Sequence, residues 1–209
     1  MIYRTIRAAA AVLLLLSMTS ACAAPSTMSR SPDPRPAPIL PRPPVTAADI
    51  TFMQDMVAHH SQALVMAVLV PARSTRRDLN TLAERIIASQ KGEIGIMNQW
   101  LRDHDVVPDS GAHMHPGMAM PLMPGMLSAA QLDQLRAATG SEFERLFLQF
   151  MVQHHSGAIV MVDKLFATYG AGQDDFIFKF ASDVAADQES EIARMESMLG
   201  AMSTPATRP

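Results

Sequence analysis

The sequence predicts an all-α protein: a four-helix bundle built from two repeated helical hairpins, with a Met/His-rich connecting loop. Three observations carry this. The chain has 209 residues with only 10 Gly, and Ala, Leu and Met are abundant while strand-like alternation is scarce, a composition that favours helices. Residues 51–66, which contain His59-His60, recur as residues 146–161, which contain His154-His155, at a constant offset of 95. The two copies agree at Phe, Gln, Met, Val, His, His, Ser, Ala, Val and Met. Gln90-Lys91-Gly92-Glu93-Ile94 with Met97 likewise recurs as Gln188-Glu189-Ser190-Glu191-Ile192 with Met195, at an offset of 98. A helical hairpin is therefore stated twice. One such hairpin cannot cover its apolar stripe, whereas two bury theirs against each other.

Taken in order, residues 1–22 read as an export signal. Arg4 and Arg7 precede the apolar run 8–16, and small and polar residues lead to Thr19-Ser20-Ala21-Cys22. That run is too short to span a bilayer but suits a secretory signal. The single cysteine, Cys22, stands where a bacterial lipobox would place the lipidated residue, although Thr19 replaces the usual Leu. Residues 23–45 contain eight prolines and form an extended tether that buries too little apolar surface to fold.

The folded domain is expected over 46–202, as a hairpin at 46–104, a loop and short helix at 105–140, and a hairpin at 141–202. Thr46 to Asp49 offers capping chemistry for a first helix that runs to about Leu69, where Pro71 ends it. A second helix spans about 76–104, with Leu79, Leu82, Ala83, Ile86, Ile87, Gln90, Ile94, Met97 and Leu101 on its apolar face. Ser128 with Gln131 sets a capping box for a short helix to about Ala138, and Ser141 with Glu144 sets another for the third long helix. That helix runs to about Tyr169, before Gly170-Ala171-Gly172, and the last spans about 174–201. Residues 203–209 are expected to be a disordered tail.

Net charge is −3, without a basic patch, which excludes nucleic acid as a partner. The compositional outlier is methionine, 17 residues against 2 Tyr and 1 Trp. Its placement carries the chemical argument. Met56 precedes His59 and His60 by three and four residues, and Met151 precedes His154 and His155 in the same way, so each trio shares one helix face. Met66 and Met161 lie one to two turns further along and extend the same lining. A third group lies between the hairpins: His113, Met114, His115, Met118, Met120, Met123 and Met126, broken by Pro and Gly. The breakers prevent a helical core stripe there. Imidazole suits copper and zinc, and thioether favours Cu(I) and Ag(I) over hard cations. The metal expected is copper, Cu(I) ahead of zinc. A ferritin-type di-iron centre needs Glu-x-x-His, and Met56 and Met151 stand where that Glu would be.

Asp49, the run 52–60, Gly140-Ser141-Glu142-Phe143 through Phe147, Met151, the run 154–161 and the turn 124–128 together resemble the bacterial "domain of unknown function 305" family. The resemblance covers about residues 46–202. It implies a ferritin-like four-helix bundle and, for some exported members, copper binding and resistance. The function expected is therefore copper sequestration or handling in the cell envelope, on a lipoprotein or a periplasmic or secreted protein. The expected partners are the metal ion, a membrane reached through a lipid at Cys22, and a copper donor or acceptor protein, with a homodimer left open. Two rival readings remain. One is a metal-free scaffold whose His pairs are held by Gln or Glu of the second and fourth helices. The other is an envelope oxidase converting Cu(I) to Cu(II), for which no sequence signature is visible.

Overall fold

A computed structural model describes residues 43–107 and 122–203. The signal segment, Cys22, most of the tether, the end of the tail, and His113, Met114, His115, Met118 and Met120 lie outside the described residues. The elements are α1 (Ala47–Ala67), the single turn α2 (Val70–Arg73), α3 (Arg77–Asp103), α4 (Ala129–Ala137), α5 (Gly140–Ala167) and α6 (Asp175–Ser203). Among the described residues there is no strand, and no helix is long and apolar enough to cross a membrane.

The four long helices form the bundle. α1 and α5 pack on each other, α3 flanks α1, and α6 flanks α5. Two apolar clusters fill it. The first gathers Ala63, Met66, Leu79, Ile86, Phe143, Phe147, Met151 and Met195; the second gathers Phe52, Met56, Met97, Leu101, Ala158, Met161, Ile177 and Val184. α1 thus runs from the second cluster to the first and α5 from the first to the second, so the central pair is antiparallel. The repeat is a two-fold relation that exchanges the clusters. Each fully buried Met, Leu or Phe contributes about 1.5–3 kcal/mol.

The caps follow the sequence at two helices. Thr46 and Asp49 form a complete capping box on α1, and Ser128 and Gln131 form one on α4. Asp49 is fully buried because its other oxygen accepts the Gly172 N–H at 2.7 Å, where Gly172 takes φ 65° to close the α5–α6 turn. Two expectations are corrected. Pro71 does not end α1, which stops at Ala67; it lies in the first turn of α2, where a missing N–H costs nothing. Ser141 and Glu144 form no box, because α5 starts at Gly140 with Thr139 as its uncapped N-cap. Glu144 is instead buried at the α2–α3 corner, where it accepts from Ser74 and faces Arg76 at 3.6 Å.

Candidate metal centre

The His pairs sit where α1 and α5 cross, between the two apolar clusters. All four imidazoles are 0% exposed. Helical spacing would let one member of each pair face the axis and the other flank it; the flanking helices cover the second member. His59 and His154 stack with ring centroids 3.9 Å apart, and His60 and His155 lie outward at 6.4 and 6.2 Å from their neighbours.

Each ring uses one nitrogen in the same way. His60 Nε2 donates to Glu93 on α3 at 2.6 Å, and His155 Nε2 donates to Glu191 on α6 at 2.7 Å. His154 Nε2 donates to the His59 carbonyl and His59 Nε2 to the Pro124 carbonyl, each at 3.0 Å. A carbonyl oxygen can only accept, so the proton of His59 and His154 is on Nε2. All four Nδ1 atoms are buried and find no protein partner. For His59 and His154 these are bare lone pairs. Burial, reinforced by the positive charge His60 and His155 would carry, pushes His59 down to about 3 against the weaker upward pull of the Pro124 carbonyl. Burial, then the neighbouring imidazoles, pushes His154 well below the ordinary histidine value. Both rings are neutral at physiological pH.

The sulfurs bracket this layer. Met56 and Met151 are fully buried, one turn before their His pairs, but in opposite clusters. Met66 and Met161 do not share one channel: Met66 joins Met151 in the first cluster and Met161 joins Met56 in the second. The antiparallel crossing of α1 and α5 dictates this exchange. Of the loop group, Met123 packs on the second cluster and Met126 is half-buried, its N–H bonded to the Met123 carbonyl at 3.1 Å. Among the described residues, no three His, Cys, Asp or Glu side chains converge as a ready-made cage.

Several residues matter beyond the candidate ligands. Gln90 and Gln188 are 0% and 1% exposed, and both amide atoms of Gln90 and the Oε1 of Gln188 lack partners. They precede Glu93 and Glu191 by three residues, so they sit one turn away on the same faces. The repeat at offset 98 carried that signal. Pro124 and Gly125 clasp the crossing from outside. Gly125 takes φ 74°, and a Cβ on Gly157 would stand 2.0 Å from the Pro124 oxygen. Gln62, at the position equivalent to Gly157, holds the clasp from α1, exchanging bonds of 2.7 and 3.1 Å with the Leu127 backbone. The exchange of Gln62 for Gly157, directly after the shared His-His-Ser run, was the available signal.

The model for the domain of unknown function DUF305 matches residues 49–199. The chain belongs to the DUF305 family. Among solved structures, this DUF305 chain is similar to a DUF305 fragment from Deinococcus radiodurans, with 29% identity over 76% of this chain and 99% of that one, at a TM-score of 0.64. It is also similar to CopM in a Cu(II)-bound form, with 27% identity over 74% of this chain and 97% of that one, at a TM-score of 0.60. CopM in a Cu(I)-bound form matches with 27% identity over 75% and 98%, at a TM-score of 0.57. No curated protein matches this DUF305 chain.

Proposed function

We propose that this DUF305 protein binds Cu(I), and Ag(I) in its place, at the buried His layer, and that it sequesters or hands on copper in the cell envelope. One observation carries the reading: four imidazoles whose Nε2 atoms are committed and whose Nδ1 atoms are buried without a partner. A histidine that serves only the fold satisfies both nitrogens, and each buried polar atom left unpaired costs about 1–3 kcal/mol. A ligating histidine behaves as these do, with its other nitrogen donating to a carboxylate or carbonyl that fixes the ring. Neutral imidazole beside thioether is a soft donor set. Met56, His59 and His60 form one such set, and Met151, His154 and His155 the other. Met66 and Met161 stand behind them. The segment holding His113, Met114, His115, Met118, Met120, Met123 and Met126 is a second, weaker capture site. The likeness to CopM, solved with Cu(I) and Cu(II) bound, supports copper as the cargo. The signal-like N-terminus and Cys22 support export with a lipid anchor.

Metal content by mass spectrometry, after expression in copper-supplemented cells, tests the reading. The expected result is more than one copper per chain, with the tightest site lost when His59, His60, His154 and His155 are all replaced by Ala. Unchanged stoichiometry in that variant would sink it.

A further inference from the structure

The two-fold relation between the hairpins predicts two equivalent approaches to the His layer, one at each end of the central helix pair. Only one is open. A cavity of about 560 Å³ lies at the start of α1 and the end of α5, lined by Ala48, Thr51, Asp55, Met123, Pro124 and Met161 among others. Adding the repeat offset of 95 maps Ala48, Thr51 and Asp55 onto Phe143, Leu146 and Phe150. Those three fill the equivalent space: Phe143 is 0% and Leu146 4% exposed, and Phe150 packs against the first cluster. Leu127 and Leu135, both buried, close that end further. Small and polar side chains keep one mouth open, and large apolar ones seal its counterpart.

The open mouth leads to the histidines through sulfur. Met161 lines the cavity and shares the second cluster with Met56, which lies three residues before His59; Met123 lines the cavity and packs on that cluster. Pro124, which also lines the cavity, supplies the carbonyl that accepts from His59 Nε2. We infer that soft metal ions reach the His layer from this side only, captured first by the thioethers of Met123 and Met161 and passed by Met56 to His59. The inference rests on the proposed function for its destination. Its own content is the direction of access. Thioethers are neutral, soft donors, so they hold a soft cation in the passage without adding a buried anionic charge.

The test is the rate of Ag(I) uptake by the full chain, followed by stopped-flow competition with a chromogenic chelator. The double variant Met123→Leu/Met161→Leu keeps volume and apolarity but removes both sulfurs. It should load about tenfold more slowly, the effect of raising the barrier by about 1.4 kcal/mol. Ala48→Phe copies the plug of the sealed end and should slow loading with every sulfur in place. Met195→Leu, at a buried methionine of the first cluster outside the proposed ligand sets, should load at the wild-type rate. Wild-type rates in both mouth variants, or an equal slowing in Met195→Leu, would overturn the inference. Loading that persists in the four-histidine variant while the mouth variants slow it would remove the destination and leave the direction of access standing. Absence of Ag(I) uptake by the wild-type chain overturns both.

Discussion

His154 is tied to His59 twice: the rings stack 3.9 Å apart, and His154 Nε2 donates to the backbone carbonyl of His59 at 3.0 Å. The side chain of one repeat thus reads the backbone position of the other, and the two helices cannot slide without breaking this bond. The two-fold relation is broken at this point, because His59 donates outward to Pro124 instead of back to α5.

That clasp depends on Gly157. Gly157→Ala places a methyl 2.0 Å from the Pro124 oxygen and 2.4 Å from its carbonyl carbon, and backbone cannot yield as a side chain would. A loss of about 1–3 kcal/mol is expected from the overpacking. Gly92→Ala, on the open face of α3 with nothing within 4 Å, should instead gain about 0.5–1 kcal/mol. Urea unfolding of both variants checks the pair; a Gly157→Ala protein as stable as wild type would remove the clasp from the account.

Glu93 and Glu191 hold His60 and His155 in matching bonds of 2.6 and 2.7 Å. Glu93→Gln and Glu191→Gln should each weaken Cu(I) binding by about 10–100-fold, the usual cost of losing the group that orients a ligating ring. A competition titration against a Cu(I) chelator measures this. An effect confined to one of the two would show that the hairpins do not contribute alike.

Gln90 and Gln188 bury amide atoms without partners. In metal-free protein, Gln90→Leu should raise stability by about 1–2 kcal/mol, since it removes an unsatisfied polar group and keeps the volume. Gln188→Leu should do the same to a smaller extent, as only its oxygen is orphaned. Thermal melts decide; destabilisation by either substitution would mean that the amide is held by partners.

The buried imidazoles also set a pH dependence. His59 lies at about 3 in the folded protein against 6.5 when exposed, and His154 is lowered in the same direction. Between those values the unfolded chain binds protons that the folded one refuses. Stability of the metal-free protein should be full above about pH 6.5 and fall as pH drops toward 3, by about 1.4 kcal/mol per pH unit for His59, with His154 adding a loss of the same sign. Denaturant midpoints from pH 7 to pH 4 test this, and a midpoint flat over that range contradicts it. Replacing His59 with a non-titrating residue should flatten the slope.

The bundle, its four long helices and the meeting of the two His pairs were legible in the sequence because they follow from period and repetition. Where reading failed, two local rules competed for one residue. Ser141 and Glu144 match a capping box, but Glu144 is drawn to Ser74 and Arg76, partners that only the packed corner supplies. Met66 and Met161 match each other in the repeat, yet the antiparallel crossing sends them to opposite clusters. The roles of Glu93 and Glu191 were undecided until the flanking helices put them on His60 and His155. The clasp at Pro124 was out of reach, since a backbone carbonyl leaves no mark in a sequence.

Asp49 has a mechanical consequence. It caps the first turn of α1 and, through its second oxygen, holds Gly172 in the turn between α5 and α6. A pull on the chain ahead of Thr46 is therefore not borne by α1 alone. The load passes through one carboxylate into both hairpins, so the bundle resists as a unit where an unstapled helix would peel away first.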